Sequence, residues 1–158
     1  MTAATRHPGL VPLPPLIYLV GLVAGIALGL LAPLPWLQGV LADILFAAGW
    51  IAVAGAVALW VGAIRAMRRA GTTLHPAGTP EHLLTGGPFA ASRNPIYLGN
   101  TLLLIGIALV TANLWTLLAA FAAAFLTAKL VIQREEKVLA DRFGKKYRDY
   151  ARRVRRWI

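Results

Sequence analysis

The sequence has no cysteine, which excludes a disulfide framework, a thiolate nucleophile and any Cys-ligated metal. Acids are almost as scarce: 6 Asp+Glu stand against 16 Lys+Arg, a formal net charge of +10. Charged residues of both signs make up only 14% of the 158 residues, against roughly 25% in an ordinary soluble domain. No G-x-G-x-x-G follows a strand anywhere, and no P-loop is present, so neither glycine-rich nucleotide fingerprint applies. What the chain has in excess is apolar: 58% of its residues are hydrophobic and its mean hydropathy is +0.66. So much apolar surface does not fit inside one small water-soluble core. Disorder needs the opposite composition. The positive charge is not spread over a polar surface, which argues against a nucleic-acid binder. Composition therefore predicts an integral membrane protein of one domain, residues 1–158.

A helix crosses a bilayer with about 20 apolar residues. Leu16 to Pro33 is uncharged and bounded by Pro14-Pro15 and by Pro33 and Pro35. It exceeds the apolar core of a signal peptide, roughly 7–15 residues, and only one Arg precedes it, so it reads as a span. A second run, Leu37 to Ile64, carries Asp43 as its one charge. From Asn94 to Ala128 there is no charge at all. A single helix of that length would measure about 52 Å, too long for a bilayer core of about 30 Å. Thr111-Ala112-Asn113 is the natural break, giving a tight helical hairpin. The expected architecture is all-α: four transmembrane helices near 16–33, 40–64, 95–111 and 114–134, a helical cytoplasmic cap within the 65–94 loop, and a basic amphipathic tail over 137–158.

Orientation follows from loop charge. The connections at 33–37 and 111–114 hold no Lys or Arg. The other side holds Arg6, Arg65, Arg68, Arg69 and Arg93, and the eleven basic residues from Lys129 onward. The positive-inside rule puts both termini and the 65–94 loop in the cytoplasm, at the inner membrane if the cell is bacterial. Gly21, Gly25 and Gly29 form a small-residue stripe, which suits close packing on another helix of the chain or a homodimer face. Asp43, near the outer end of its span, reads as interfacial rather than as part of an ion pathway.

The polar chemistry gathers on the predicted cytoplasmic side. Gly86-Gly87 permits positive φ, so backbone N–H groups there can turn toward a ligand. Pro95 suits the first turn of a helix, with Asn94 placed to cap it. The free N–H groups of that helix start, together with Arg93, favour an anion. Glu135 and Glu136 are two of the six acids, side by side at the end of the last span, and about 100° apart on a helix. They are either surface partners of nearby Lys and Arg, or one of them binds a cation beneath the Gly turn. His75 and His82 read as surface or capping residues. No group of residues has metal-ligand spacing. The tail, Phe143-Gly144-x-x-Tyr147-x-x-Tyr150 and then Arg152-Arg153-Val154-Arg155-Arg156-Trp157, is suited to resting on anionic headgroups.

These elements, taken in order, resemble the isoprenylcysteine carboxyl methyltransferase family and its phospholipid methyltransferase relatives. The carrying residues are Leu83-Leu84-Thr85-Gly86-Gly87-Pro88-Phe89, Arg93-Asn94-Pro95-Ile96-Tyr97-Leu98-Gly99, Glu135-Glu136, and the Phe143 to Trp157 tail. The resemblance covers about residues 71–157 and implies a membrane methyltransferase using S-adenosylmethionine. Carried over, the cofactor contacts are Glu81, His82, Leu83, Leu84, Gly87, Phe89, Asn94, Pro95, Ile96, Tyr97 and Glu135. Arg93, Asn94 and Glu136 are the catalytic candidates. Asn94 stands where eukaryotic members have His, and Asn exchanges hydrogen bonds but does not titrate.

The residue types suit that cofactor. A glutamate pairs with its ammonium, and Arg93 or helix N–H groups hold its carboxylate. Phe89 and Tyr97 pack on the adenine or face the sulfonium. The implied acceptor is a lipid or lipophilic molecule entering from the bilayer: an isoprenylcysteine-like carboxylate, a phospholipid amine, a thiol or a quinone-like hydroxyl. Two other functions compete. One is a sterol-reductase-like enzyme using NADPH, against which stands the lack of Lys and Arg between Gly71 and Pro88. The other is a small membrane protein without catalytic activity.

Overall fold

The computed structural model describes residues 14–71 and 82–158, and these are helical except for turns. In chain order the helices are α1 (Pro14–Leu31), α2 (Val40–Arg69), α3 (Pro95–Val110), α4 (Leu114–Thr127), α5 (Gln133–Phe143) and α6 (Lys145–Arg153). A 3-10 turn, Gly87–Ala90, precedes α3, and a π turn, Ala128–Ile132, joins α4 to α5 without a break. Three helices are long and apolar enough to cross a membrane: Pro14–Leu31, Val40–Arg69 and Leu114–Phe143. α3 is apolar but shorter.

Burial is inverted relative to a soluble protein. Leu19, Val20, Val23 and Ile26 of α1, Ile44, Trp50, Ile51 and Val57 of α2, and Leu118, Phe121 and Phe125 of α4 all lie exposed. Small residues fill the interior instead. In α2 the buried positions are Gly49, Ala56 and Ala63, seven apart. Gly106 of α3 lies against them: a Cβ there would stand 2.7 Å from Val53 Cγ2 and 2.8 Å from the Gly49 carbonyl oxygen. Gly99 meets Trp60 and Ala56 in the same way. Without a hydrophobic drive between helices in lipid, such close backbone approach is what holds them together. This seam has a readable seven-residue spacing.

Those α1 glycines pack within the chain. Gly21 faces Ala119 and Ala123, Gly25 faces Thr116, and Gly29 faces Asn113, all on α4 or its cap. Of the two readings of this stripe, close packing on another helix of the chain is the one these contacts match. α3 sits centrally, touching α1, α2 and α4. Tyr18 of α1 ties to it, with its hydroxyl 2.9 Å from Thr101 Oγ1.

The break at 111–113 is where it was expected. Ala112 takes φ 51°, and Asn113 caps α4 by accepting from the Thr116 N–H at 3.1 Å. Asn113 also donates to the Gly25 carbonyl, and Trp115 donates to that of Ala32. The two charge-free turns therefore lie at one end of the bundle and the basic residues at the other. Of the expected helical cap, the 3-10 turn is the helical part among described residues 82–94. The tail differs from a single amphipathic stretch: Gly144, at φ 52°, separates α5 from α6. Tyr147 and Tyr150 turn inward and are buried, leaving the basic residues outside.

Candidate functional site

The start of α3 is the meeting point. Ser92 is fully buried, and its hydroxyl accepts from the Asn94 N–H at 3.1 Å. The expectation that Asn94 caps α3 is corrected: its side chain makes no cap hydrogen bond. Asn94 Nδ2 donates instead to the Arg156 carbonyl at 2.9 Å. Ser92 Oγ donates to the same carbonyl at 3.3 Å, and the Arg93 N–H donates to Arg155 O at 3.0 Å. The C-terminal residues thus lie across the helix start as a strap. Trp60 of α2 fixes the other flank, donating to Asn100 Oδ1 at 3.0 Å and to the Ile96 carbonyl at 3.3 Å.

The two glutamates have separate partners. Glu136 receives Arg156 in a two-pronged pair, Nε to Oε1 at 2.9 Å and Nη2 to Oε2 at 2.7 Å. Arg93 Nη1 lies 3.2 Å from Glu136 Oε1 and also donates to the Tyr147 hydroxyl at 3.0 Å. Both salt bridges among the described residues belong to Glu136. Glu135 is in neither. Its Oε1 accepts from the Tyr97 hydroxyl at 2.7 Å, and its side chain is half-buried. Arg93 Nε is buried with no hydrogen-bond partner.

The π turn sets this division. One extra residue in the turn rotates all that follows by about 100° relative to an uninterrupted α-helix. Without it, Arg134 would point where Glu135 now meets Tyr97. Ile132, fully buried, anchors the turn. The sequence offers no local signal for such a turn.

Electrostatics beyond the spans follow from burial and from Glu136. The Arg156 guanidinium is held above its ordinary pKa, chiefly by its hydrogen bond to Glu136. Burial raises the Tyr147 hydroxyl, and the Glu136 charge adds to this, while Arg93 opposes it. Burial also pushes Tyr150 up to about 12, so at neutral pH it stays a donor. Its hydroxyl donates to the Phe89 carbonyl at 2.6 Å. That bond ties α6 to the Gly turn.

The turn itself is positioned by α2. Gly62 leaves room for Pro88, whose Cγ would stand 2.7 Å from a Cβ there. Gly87 takes φ 60°, as the sequence led one to expect, but Gly86 does not: its φ is −105°. Of the candidate residues, Arg93, Asn94, Pro95, Ile96, Tyr97, Glu135 and Glu136 converge at the α3 start. Phe89 is linked to them through Tyr150. Leu83 and Leu84 are half-buried nearby in sequence, and His82 and Gly87 are exposed. Glu81 and His75 lie outside the described residues. Among the described residues no His/Asp/Glu group could hold a metal. Arg156 and Ser92, which the sequence reading did not single out as site residues, hold the cluster together.

A family model described as phospholipid methyltransferase matches residues 44–146, which is α2 through the first residues of α6. Searches of curated proteins and of solved structures each found no match. The matched segment contains the α2–α3 seam, the Gly turn, the α3 start and the glutamate pair, and it covers more than half of the chain. The chain belongs to the phospholipid methyltransferase family.

Proposed function

We propose that this membrane methyltransferase moves the methyl group of S-adenosylmethionine to a lipid or lipophilic acceptor at the basic end of the bundle. The family is a methyltransferase class that normally uses this cofactor. The observation that carries the reading is a pair of incompletely matched groups at the α3 start, the Glu135 carboxylate and the Nε edge of Arg93. Glu135 is a half-buried carboxylate with a hydroxyl donor but no cation among the described residues. Arg93 is a cation whose buried Nε has no acceptor. Desolvated charges stay buried only when they are paired. A carboxylate with no cation among the described residues, and a guanidinium that keeps an unpartnered Nε–H beside its Glu136 contact, fit the ammonium and carboxylate of an amino-acid end, so the residues present suit the cofactor.

In this reading Glu135 holds the ammonium, with Tyr97 fixing the carboxylate, and Arg93 holds the carboxylate. Phe89, Leu83, Leu84 and Ile96 supply apolar walls. His82, Gly87, Pro95 and Asn94 complete the rim. When bound, S-adenosylmethionine supplies a methyl group on a sulfonium, a good leaving group for in-line displacement. The chain's own part is to hold the reacting groups in line and to keep water out. Arg93, Asn94 and Glu136 act together: Glu136 and Asn94 keep Arg93 and the strap in place. A carboxylate or thiolate acceptor needs no base, whereas a protonated amine must first lose its proton. Asn94 does not titrate, so it does not serve as that base.

The reading takes the chain as one membrane domain of four spans, with α3 the fourth. Sixteen residues rise about 24 Å, short of a full bilayer core. α3 is enclosed by α1, α2 and α4, and none of its large apolar residues is exposed, so it need not match lipid thickness. The positive-inside rule then puts both termini and residues 65–94 in the cytoplasm. The exposed Lys145, Lys146, Arg148, Arg152 and Arg153 of α6 face anionic headgroups. Calorimetry on the detergent-purified chain tests the reading. Heat with S-adenosylmethionine and none with NADPH is expected. Heat with neither at millimolar ligand overturns it.

A further inference from the structure

We propose that Arg156 is a positioning residue whose charge keeps Arg93 available to an anionic ligand group. The inference rests on the cofactor reading above. Arg156 lies beyond the residues that the family match covers. Glu136 carries one negative charge and two guanidinium partners, Arg93 at 3.2 Å and Arg156 at 2.7 Å. The trio therefore keeps a net positive charge at the α3 start. Arg156 takes both carboxylate oxygens, the stronger planar geometry, while Arg93 reaches one oxygen through Nη1 alone. The Nε edge of Arg93 is left buried and without a partner.

Remove the Arg156 charge, and Glu136 turns wholly to Arg93. The trio becomes a neutral pair, and the remaining guanidinium is drawn onto Glu136. Remove Glu136 as well, and Arg93 is again a lone cation. The backbone contribution of the strap is untouched in both cases, because Asn94 and Ser92 bind the Arg156 carbonyl rather than its side chain. Charge and architecture are therefore separable at this residue. A residue that merely fastens the tail would not behave this way.

The test is calorimetry on the full chain in detergent with two probes, S-adenosylmethionine and its decarboxylated analogue. Arg156→Gln should weaken S-adenosylmethionine by about tenfold or more, the loss expected when a charge-assisted contact fails. The decarboxylated analogue should change by less than about threefold, since it offers no carboxylate to pair. Arg156→Lys, which keeps the charge, should retain most of the affinity. The double variant Glu136→Gln/Arg156→Gln should bind S-adenosylmethionine more tightly than Arg156→Gln alone, because the charge that captures Arg93 is gone. Equal weakening of both probes, a double variant as weak as the single one, or an unchanged Arg156→Gln each overturns the proposal. If the unaltered chain binds neither probe, the cofactor reading itself fails, and the proposal falls with it.

Discussion

Glu135→Gln separates the two glutamates most sharply. The substitution keeps the size and shape of the side chain and removes its charge. In the structure, the Tyr97 hydroxyl donates to Glu135 Oε1 at 2.7 Å, and no Lys or Arg among the described residues pairs with it. A hydrogen bond to a charged group contributes about 1.5–3 kcal/mol and a neutral one about 0.5–1.5, so the Tyr97 contact loses about 1 kcal/mol. The carboxylate also ceases to incur its desolvation cost, which offsets that loss. Fold stability should therefore change little, with the melting temperature shifting by no more than about 4 °C. Binding behaves differently, because in the proposed reading the cofactor ammonium loses the carboxylate that pairs with it. About 2 kcal/mol corresponds to roughly thirtyfold in Kd. Calorimetry gives the affinity, and thermal unfolding in detergent gives the stability. An unchanged Kd refutes the assignment and moves the role elsewhere. Lost binding together with a collapsed melting temperature also refutes it, because Glu135 would then be structural.

Three further outcomes follow from local geometry. Gly87→Val should cost about 1–3 kcal/mol and weaken cofactor binding, because Gly87 holds φ 60°, whereas Gly86→Val, at φ −105° with open space around it, should bind normally. Calorimetry on both variants checks this, and equal loss in the two contradicts it. Gly25→Val should destabilise by about 1–3 kcal/mol or more, because a Cβ would stand 2.7 Å from the Thr116 Cα, while Gly55→Ala, with nothing within 4 Å, should leave the melting temperature unchanged. For Tyr150 the folded-state pKa of about 12 lies above its unfolded value of 10.0, so its contribution is fully present below pH 10 and is lost as pH rises toward 12. The melting temperature should be flat from neutral pH to pH 9 as far as Tyr150 is concerned, and Tyr150→Phe should lower it by leaving the Phe89 carbonyl without its donor.

Much of the bundle was legible in the sequence because lipid imposes simple rules. Uncharged runs set the helices, and Thr111-Ala112-Asn113 broke the long run where Ala112 and Asn113 do in fact turn the chain. The convergence of Arg93, Asn94, Tyr97 and the glutamate pair was legible through family resemblance. What stayed hidden depends on tertiary register. The π turn has no composition signature, and it alone decides that Glu135 meets Tyr97 while Glu136 meets Arg93 and Arg156. Asn94 looked like a cap because Asn-Pro suits a helix start, but Ser92 receives that N–H and frees Asn94 for the strap. The tail read as a lipid-facing segment from its charge. Yet Tyr147 and Tyr150 turn inward, where Arg93 and the Phe89 carbonyl give their hydroxyls partners.

The most direct test of the central claim is transfer itself. The purified chain is incubated with methyl-labelled S-adenosylmethionine and a total membrane lipid extract, and the organic phase is analysed by mass. Label should appear in a lipid-soluble product, and the transfer should fall with Glu135→Gln at limiting cofactor. Cofactor binding by calorimetry with no label in any lipid-soluble product would contradict a lipid methyltransferase.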